Sequence, residues 1–424
     1  MEIDDSYHSN NSLSNSNNLS MSSNHQQQRC NTNITIKRVS GVYYALTNNY
    51  DVLKPIGKGA YGCVCLASVT IADNNNSNEQ IKEDVAVKKV PLYLNELSTS
   101  KKILRELKIM KHLSNHPNIV TLKDAQATQV RADQGKDLYI CTEFIQTDLH
   151  RVIYNPQIKL GDDHHRFLMY QLLCGLKYMH SAGIVHRDIK PSNLLTNSQV
   201  DLRICDFGLA RSLDRENKTL PRDPNNMLST MSQNVVTRWY RAPEILLGSC
   251  KYNESVDMWA AGCVLYEMIH QQPLFQGKDE VKQIEKIFQL TGTPSVDDIS
   301  WYASKDACLW IQRQQQYVPI PLTQAFPHCS PDAKDILGKL LTLDPKQRIT
   351  VDQALRHRYV SKYFQEDDII LCQNRFSFDF NDSTELNRNT LNHLIQCEVD
   401  NIHRNSNLYT LPRSSMSVNM HPHK

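Results

Sequence analysis

The run "VHRDIKPSN" sets an aspartate and a lysine two residues apart, with an asparagine three residues further on: Asp188, Lys190 and Asn193. A second aspartate, Asp206, opens the triplet Asp-Phe-Gly a short way downstream. A carboxylate and a carboxamide are oxygen donors suited to a hard cation such as Mg²⁺, so Asn193 and Asp206 are candidate metal ligands. Asp188 can accept the proton of an attacking hydroxyl, and Lys190 can offset charge on a group in transit. Together these roles describe phosphoryl transfer, which asks a protein for positioning and charge stabilisation more than for covalent help.

Upstream, "GKGAYG" sets Gly57, Gly59 and Gly62 in a G-x-G-x-x-G pattern. The same spacing opens dinucleotide sites, but there a helix must follow to aim its N-terminus at the pyrophosphate. Here "CVCLASV" follows and has the character of a strand, so the expectation is a hairpin whose backbone amides fold over phosphates. Lys88 in "VAVKK" would by itself be read as a solvated edge charge. With the glycines before it and Glu106 of "LREL" after it, the pattern predicts an ion pair that presents an ammonium to the α and β phosphates of a nucleotide. Asp-Phe-Gly or His-Arg-Asp alone arises by chance, and the argument rests on the order and spacing of all of these residues. Two other readings compete. A hydride-transferring dinucleotide enzyme is disfavoured by the strand after Gly62, and a non-catalytic scaffold by the joint retention of Lys88, Asp188, Asn193 and Asp206.

These residues need elements to hold them. Residues 1–36 are dominated by Asn, Ser and Gln and read as a disordered tail. Residues 50–147 carry short β-type runs and one helix near 98–113, where Ile103, Leu107 and Met110 recur at helical spacing. From residue 148 to 360 helical periods dominate, with Leu168, Leu172, Leu176 and Met179 forming one apolar stripe. The expected fold class is α+β: a small antiparallel sheet with one main helix, then a larger helical lobe.

Bulk properties narrow the partners. The 424 residues carry a net charge of +2, too little for a global field favouring nucleic acid or an anionic membrane surface. Twelve cysteines occur without a C-x-x-C pair, which reads as reduced thiols in an intracellular protein. No basic-then-apolar leader opens the chain, and no apolar run approaches the ~18 residues of a membrane span. The expected compartment is the cytoplasm, with the nucleus as a second one.

With the motifs in view, the chain from about residue 50 to 359 resembles the eukaryotic protein kinases. "GAYG", "TRWYRAPE", "LTGTP", "LLTLDPKQRIT" and "FSFDF" are similar to the MAP-kinase group, closest to its extracellular-signal-regulated branch. Cyclin-dependent kinases share several of these signals, but a PSTAIRE-like helix would be expected where this chain has "LRELKIM". The resemblance implies a two-lobed serine/threonine protein kinase using ATP and Mg²⁺. It also implies an insert at about 291–324, an extension over 361–404 packing back on the kinase, and a flexible tail over 405–424. It builds the ATP pocket from Ile56, Gly57, Gly59, Gly62, Val64, Ala86 and Lys88, with Thr142 as gate, Glu143 to Ile145 as hinge and Asp148 at the ribose. A small gate implies a back pocket open to bulky inhibitors, and Cys205 offers a second handle if its thiolate is accessible. By the same resemblance His186 is structural, Glu244 pairs with Arg348 in the interior, and Asp257 holds the catalytic-loop backbone.

One segment departs from the group. Counted in register from Thr237, the activating Thr-x-Tyr falls on Ser232, Gln233 and Asn234, with Ser229 and Thr230 as further hydroxyls nearby. Arg187 and Arg211 match phosphate ligands of the group, and Lys102 would be a third, so phosphorylation of Ser232 is the expected switch. Arg238 and Arg241 meet a phosphotyrosine in relatives and shape a proline-selecting pocket, so proline-directed specificity is expected although that partner is missing. Glu366, Asp367 and Asp368 of "QEDD" fall where the group keeps an acidic docking patch for basic-hydrophobic peptides; a solvated charge cluster is the alternative. The implied partners are protein substrates and docking-motif peptides, with room for an upstream MAP kinase kinase, and a monomer is expected.

Overall fold

Alternation in "DVAVKKV" puts Val85 and Val87 on one face of a strand and Ala86 and Lys88 on the other, and each face meets a different neighbour. The computed structural model describes residues 34–59, 62–72, 80–114, 116–130, 135–213, 238–249, 253–380 and 386–406. It begins with a hairpin, β1 (Ile34–Val39) and β2 (Val42–Thr47), closed by Ser40 and by Gly41 at φ 85°. Strand structure therefore starts inside the segment read as a tail. The β-branched Ile34, Thr35 and Ile36 supply it, and Tyr44 and Leu46 give β2 a buried face that packs on Val52, Val69, Val85 and Val87.

Five antiparallel strands follow in the order β3-β4-β5-β7-β6: β3 (Tyr50–Gly59), β4 (Gly62–Ala72), β5 (Gln80–Val90), β6 (Leu122–Thr128) and β7 (Asp137–Glu143). The hairpin covers one face of this sheet. Against the other lies α1 (Leu97–Leu113), with Ile103, Leu107 and Met110 buried as their spacing predicts.

After β7 the chain crosses to the helical lobe through β8 (Thr147–Asp148) and α2 (Leu149–Ile153). Helix α3 (Asp162–Ser181) buries Leu168, Leu172, Leu176 and Met179. Four short strands carry the residues of chemical interest: β9 (Ile184–Val185), β10 (Leu194–Thr196), β11 (Leu202–Ile204) and β12 (Arg211–Ser212). Next come α4 (Pro243–Leu246), the central α5 (Ser255–His270) and α6 (Glu280–Thr291). Helix α5 is apolar around nearly its whole circumference, which suits a helix surrounded by protein. The segment expected as an insert folds as α7 (Val296–Ile299), α8 (Lys305–Gln312) and α9 (Leu322–Ala325), before α10 (Pro331–Leu340) and α11 (Val351–Leu355). The chain then runs back to the small lobe, where α12 (Arg388–Ser406) lies along β6 and α1. Among the described residues no helix is long and apolar enough to cross a membrane.

Candidate active site

Strand β4, not a helix, follows Gly62, which removes the dinucleotide reading. Position 62 must be glycine for a steric reason: a Cβ there would stand 1.9 Å from the carbonyl oxygen of Lys89. Across the sheet Val64 pairs with Lys88 and Ala86 with Thr142, so Val64, Ala86, Lys88 and Thr142 form one patch. None of the four is fully buried.

Lys88 Nζ donates to Glu106 Oε1 at 2.6 Å, joining β5 to α1. Burial raises the Glu106 carboxyl above its ordinary value while Lys88 opposes that shift. Below them, His186 accepts the Asp188 N–H at Nδ1 (3.2 Å) and bonds the Cys205 carbonyl through Nε2 (3.1 Å). The ring is fully buried edge-on to Phe207, which suits the structural role expected of it. Lys190 Nζ and Asn193 Nδ2 both donate to Asp188 Oδ2, at 2.7 and 3.0 Å. Among the described residues, Asp188 Oδ1 and Asn193 Oδ1 then carry no hydrogen bond. Asp206 takes the left-handed conformation (φ 64°, ψ 77°), which aspartate tolerates better than most side chains. Burial works to raise its carboxyl, but Lys88, His186 and Lys190 outweigh that and hold it below the ordinary aspartate range. An ionised carboxylate and an open amide oxygen form the all-oxygen donor set that Mg²⁺ prefers, so these residues fit the ion.

At the hinge, Glu143 is tied to Thr121 twice: its N–H donates to the Thr121 carbonyl (3.0 Å) and its Oε1 accepts the Thr121 N–H (2.7 Å). The Glu143 N–H is therefore not open to a base. The Ile145 N–H has no hydrogen-bond partner among the described residues. Asp148 caps α2 by accepting the Arg151 N–H at 2.9 Å, and Arg151 Nε returns to Asp148 Oδ2 at 3.2 Å. Arg151 also reaches the Ile56 carbonyl at 3.3 Å, closing a link between the glycine hairpin and the helical lobe. Sequence reasoning missed Arg151; its only local signal is the three-residue step from a helix-capping aspartate.

The condition set for Cys205, an accessible thiolate, is not met. The residue keeps some exposed surface, yet burial of the thiol and then the Asp206 carboxylate push its pKa well above that of a free cysteine, so no accessible thiolate stands there.

Around the site, Asp257 is fully buried and accepts the backbone N–H groups of His186 and Arg187. His180, which sequence reasoning also missed, bonds Asp257 Oδ2 at 3.0 Å. Glu244 and Arg348 form a two-point pair at 2.7 and 3.0 Å with both side chains fully buried. Arg187 and Arg211 both direct a guanidinium N–H to the Leu209 carbonyl, at 3.3 and 3.5 Å. Lys102 is held below its ordinary value by burial, with Arg211 and Arg105 adding to that shift. Arg238 and Arg241 are engaged elsewhere, by the Lys278 carbonyl (2.9 Å) and Glu280 (3.4 Å). Thr230 and Ser232 lie outside the described residues. Glu366, Asp367 and Asp368 form an exposed 3₁₀ turn, and Glu366 is bonded to Arg356.

The Protein kinase domain family matches residues 50–360. The chain is similar to Mitogen-activated protein kinase 3 of Arabidopsis thaliana, 42% identical over 343 residues that cover 81% of this chain and 86% of the relative. It is 39% identical to Mitogen-activated protein kinase 5 of Oryza sativa subsp. indica over 358 residues, 84% of this chain and 90% of the relative. Extracellular signal-regulated kinase 1 of Dictyostelium discoideum is 38% identical over 361 residues, 85% of this chain and 64% of that protein.

Proposed function

Given that the chain belongs to the protein kinase family, within its mitogen-activated branch, we propose that it transfers phosphate from ATP to serine or threonine in proteins, with preference for a following proline. What supports the assignment of roles is the division of labour at Asp188. One of its oxygens is committed to Lys190 and Asn193, and the other is open to accept a hydroxyl proton. Lys190 is close enough to balance charge that develops beside that proton transfer.

Asn193 and Asp206 would hold Mg²⁺, and Lys88, kept in place by Glu106, would hold the α and β phosphates. ATP with its ion supplies the phosphoryl group and neutralises its charge when bound. The adenine would lie between Ile56, Val64 and Ala86 on one side and the Glu143 carbonyl and Ile145 N–H at the hinge, with Asp148 at the ribose. Thr142 leaves the rear of this pocket open. Gly57, Gly59 and Gly62 would let backbone amides approach the phosphates.

Activation is by phosphate on Ser232. Arg187, Arg211 and Lys102 supply the cations, and asparagine at position 234 leaves a single-site switch where relatives use two. Arg238 and Arg241 shape the proline pocket. Glu366, Asp367 and Asp368 receive basic docking peptides, and an upstream MAP kinase kinase is the candidate activator. Residence in the cytoplasm, with the nucleus as a second compartment, and a monomeric state belong to the same proposal and rest on the sequence alone.

The test is radiolabelled phosphate transfer to a generic MAP-kinase substrate by wild type, Asp206→Asn and Ser232→Ala, with phosphosites mapped in each. Transfer should vanish in Asp206→Asn and drop in Ser232→Ala, with phosphate on Ser232. No transfer above the Asp206→Asn background after incubation with active upstream kinases would leave a kinase-fold scaffold instead. Replacing proline after the phosphoacceptor by alanine should cut transfer; equal rates would remove the proline preference.

A further inference from the structure

Helix α1 is held from two opposite sides. Glu106 faces the cleft and Lys88, while Lys108, about 200° further round the helix, faces α12. There Glu398, only 7% exposed, receives Lys108 Nζ on Oε2 and Lys111 Nζ on Oε1, both at 2.8 Å. Lys108 also reaches Asp379 of the returning chain at 2.9 Å. Two lysines one helical turn apart, each on its own oxygen of one carboxylate, resist rotation of α1 about its axis in a way that apolar contact does not.

Other contacts hold α12 against the small lobe whatever Glu398 does. Leu391, Ile395, Val399 and Ile402 are buried in the main core. Tyr93, just before α1, donates its hydroxyl to Asn392 at 3.0 Å. His403 bonds Asp124 of β6 at 2.9 Å. The ionic clasp is therefore not needed to dock α12, and what it sets is the orientation of α1. That helix also touches the 3₁₀ turn Phe207–Leu209, which follows Asp206.

We propose that Glu398 is a positioning residue for phosphoryl transfer: through Lys108 and Lys111 it fixes the rotation of α1 and so holds Glu106 against Lys88. This rests on the reading of Lys88 and Glu106 as the pair that anchors the phosphates. By this arrangement the C-terminal helix is a working part of the small lobe, and anything that lifts α12 lowers the rate of transfer.

The test compares the full chain as wild type, Glu398→Gln, Glu398→Lys, the triple swap Lys108→Glu/Lys111→Glu/Glu398→Lys, and Glu106→Gln. Three quantities are read: kcat and KM for ATP and for protein substrate, thermal melting, and amide hydrogen exchange over residues 97–113. Glu398→Gln should lower kcat about 5- to 30-fold, the equivalent of 1–2 kcal/mol, with KM for protein substrate unchanged. Exchange in α1 should rise, and the swap should recover most of the loss. A kcat within about twofold of wild type in Glu398→Gln and Glu398→Lys, with Glu106→Gln inactive, would overturn the role of Glu398 alone. A loss that the swap does not recover and that tracks melting would overturn it in favour of simple stability. Wild-type transfer by Glu106→Gln would instead sink the reading of the Lys88 pair, and the increase in α1 exchange would still report whether the clasp holds the helix.

Discussion

Asp257 binds both peptide N–H groups that enter the loop carrying Asp188, taking His186 on Oδ2 at 2.9 Å and Arg187 on Oδ1 at 2.8 Å. The second bond matters more because Arg187 holds φ at 69°, a left-handed conformation that a long side chain rarely adopts. Such strain persists only where the surroundings over-determine it, and here a fully buried carboxylate on the central helix does so.

Asp257→Asn should therefore cost about 1–3 kcal/mol in stability, because one buried N–H would face an amide that cannot accept it. Transfer should fall with it as the Asp188 loop relaxes. Burial works to raise the Asp257 carboxyl, but bonds from His180 and the backbone hold it below the ordinary range. The sign follows: a depressed folded value adds stability above the unfolded value of about 4, and that stability is lost as pH falls further. Acid unfolding of the asparagine variant should be correspondingly shallower, and urea melts over the acid range would check it.

Glu244→Ala should cost about 3–5 kcal/mol, since it strands a buried guanidinium. Arg348 uses all five donors: two on Glu244, and the others on the carbonyls of Thr342, Leu343 and Ser255. Trp259 lies 5.1 Å from its charge and offers partial relief only. Glu244→Gln keeps an acceptor and should lose less. Equal melting of the alanine variant and wild type would show that the interior relaxes around the lone charge.

What could be read in the sequence was what local chemistry encodes. Lys88 sits on a strand because β-branched neighbours alternate around it, and Glu106 sits on a helix because Ile103, Leu107 and Met110 recur at its period, so their types and order located the pair before any fold was known. The hairpin over residues 34–47 was hidden because half of it is exposed and its partner face belongs to strands further on. Arg151 reaching Ile56 and Glu398 reaching Lys108 were hidden for a stronger reason: the partners are 95 and 290 residues apart, and no periodicity reports a contact of that range. Whether Cys205 offers a thiolate was not legible at all, because a position next to a metal-ligand candidate says nothing about which way the sulfur faces.

His403 gives a pH dependence of opposite sign to Asp257. Its bond to Asp124 raises the imidazole pKa, burial opposes, and Asp124 and Asp400 add charge attraction. Tyr50 and Gln126 also donate to Asp124, so the carboxylate is not orphaned when the histidine loses its proton. A raised folded value means that the contribution is fully present below the unfolded value of about 6.5 and lost as pH rises through the folded one. The difference in melting between wild type and His403→Ala should be largest in mild acid and shrink towards alkaline pH. A difference that grows with pH would contradict the assignment.

Cys205 should be a poor target for thiol-directed inhibitors although it adjoins Asp206. The nucleophile is the thiolate, and burial together with the Asp206 and Asp148 carboxylates disfavours that form, with Lys88 opposing. Cys397 on α12 is exposed to reagent. Iodoacetamide near neutral pH should label Cys397 well before Cys205, and raising the pH to about 9, where an ordinary thiol of pKa near 8.5 is mostly ionised, should not reverse the order. Mapping modified peptides over time decides it. Labelling of Cys205 as fast as Cys397 would mean that the cleft opens enough to solvate the sulfur, and would restore it as a covalent handle beside the candidate metal ligand Asp206.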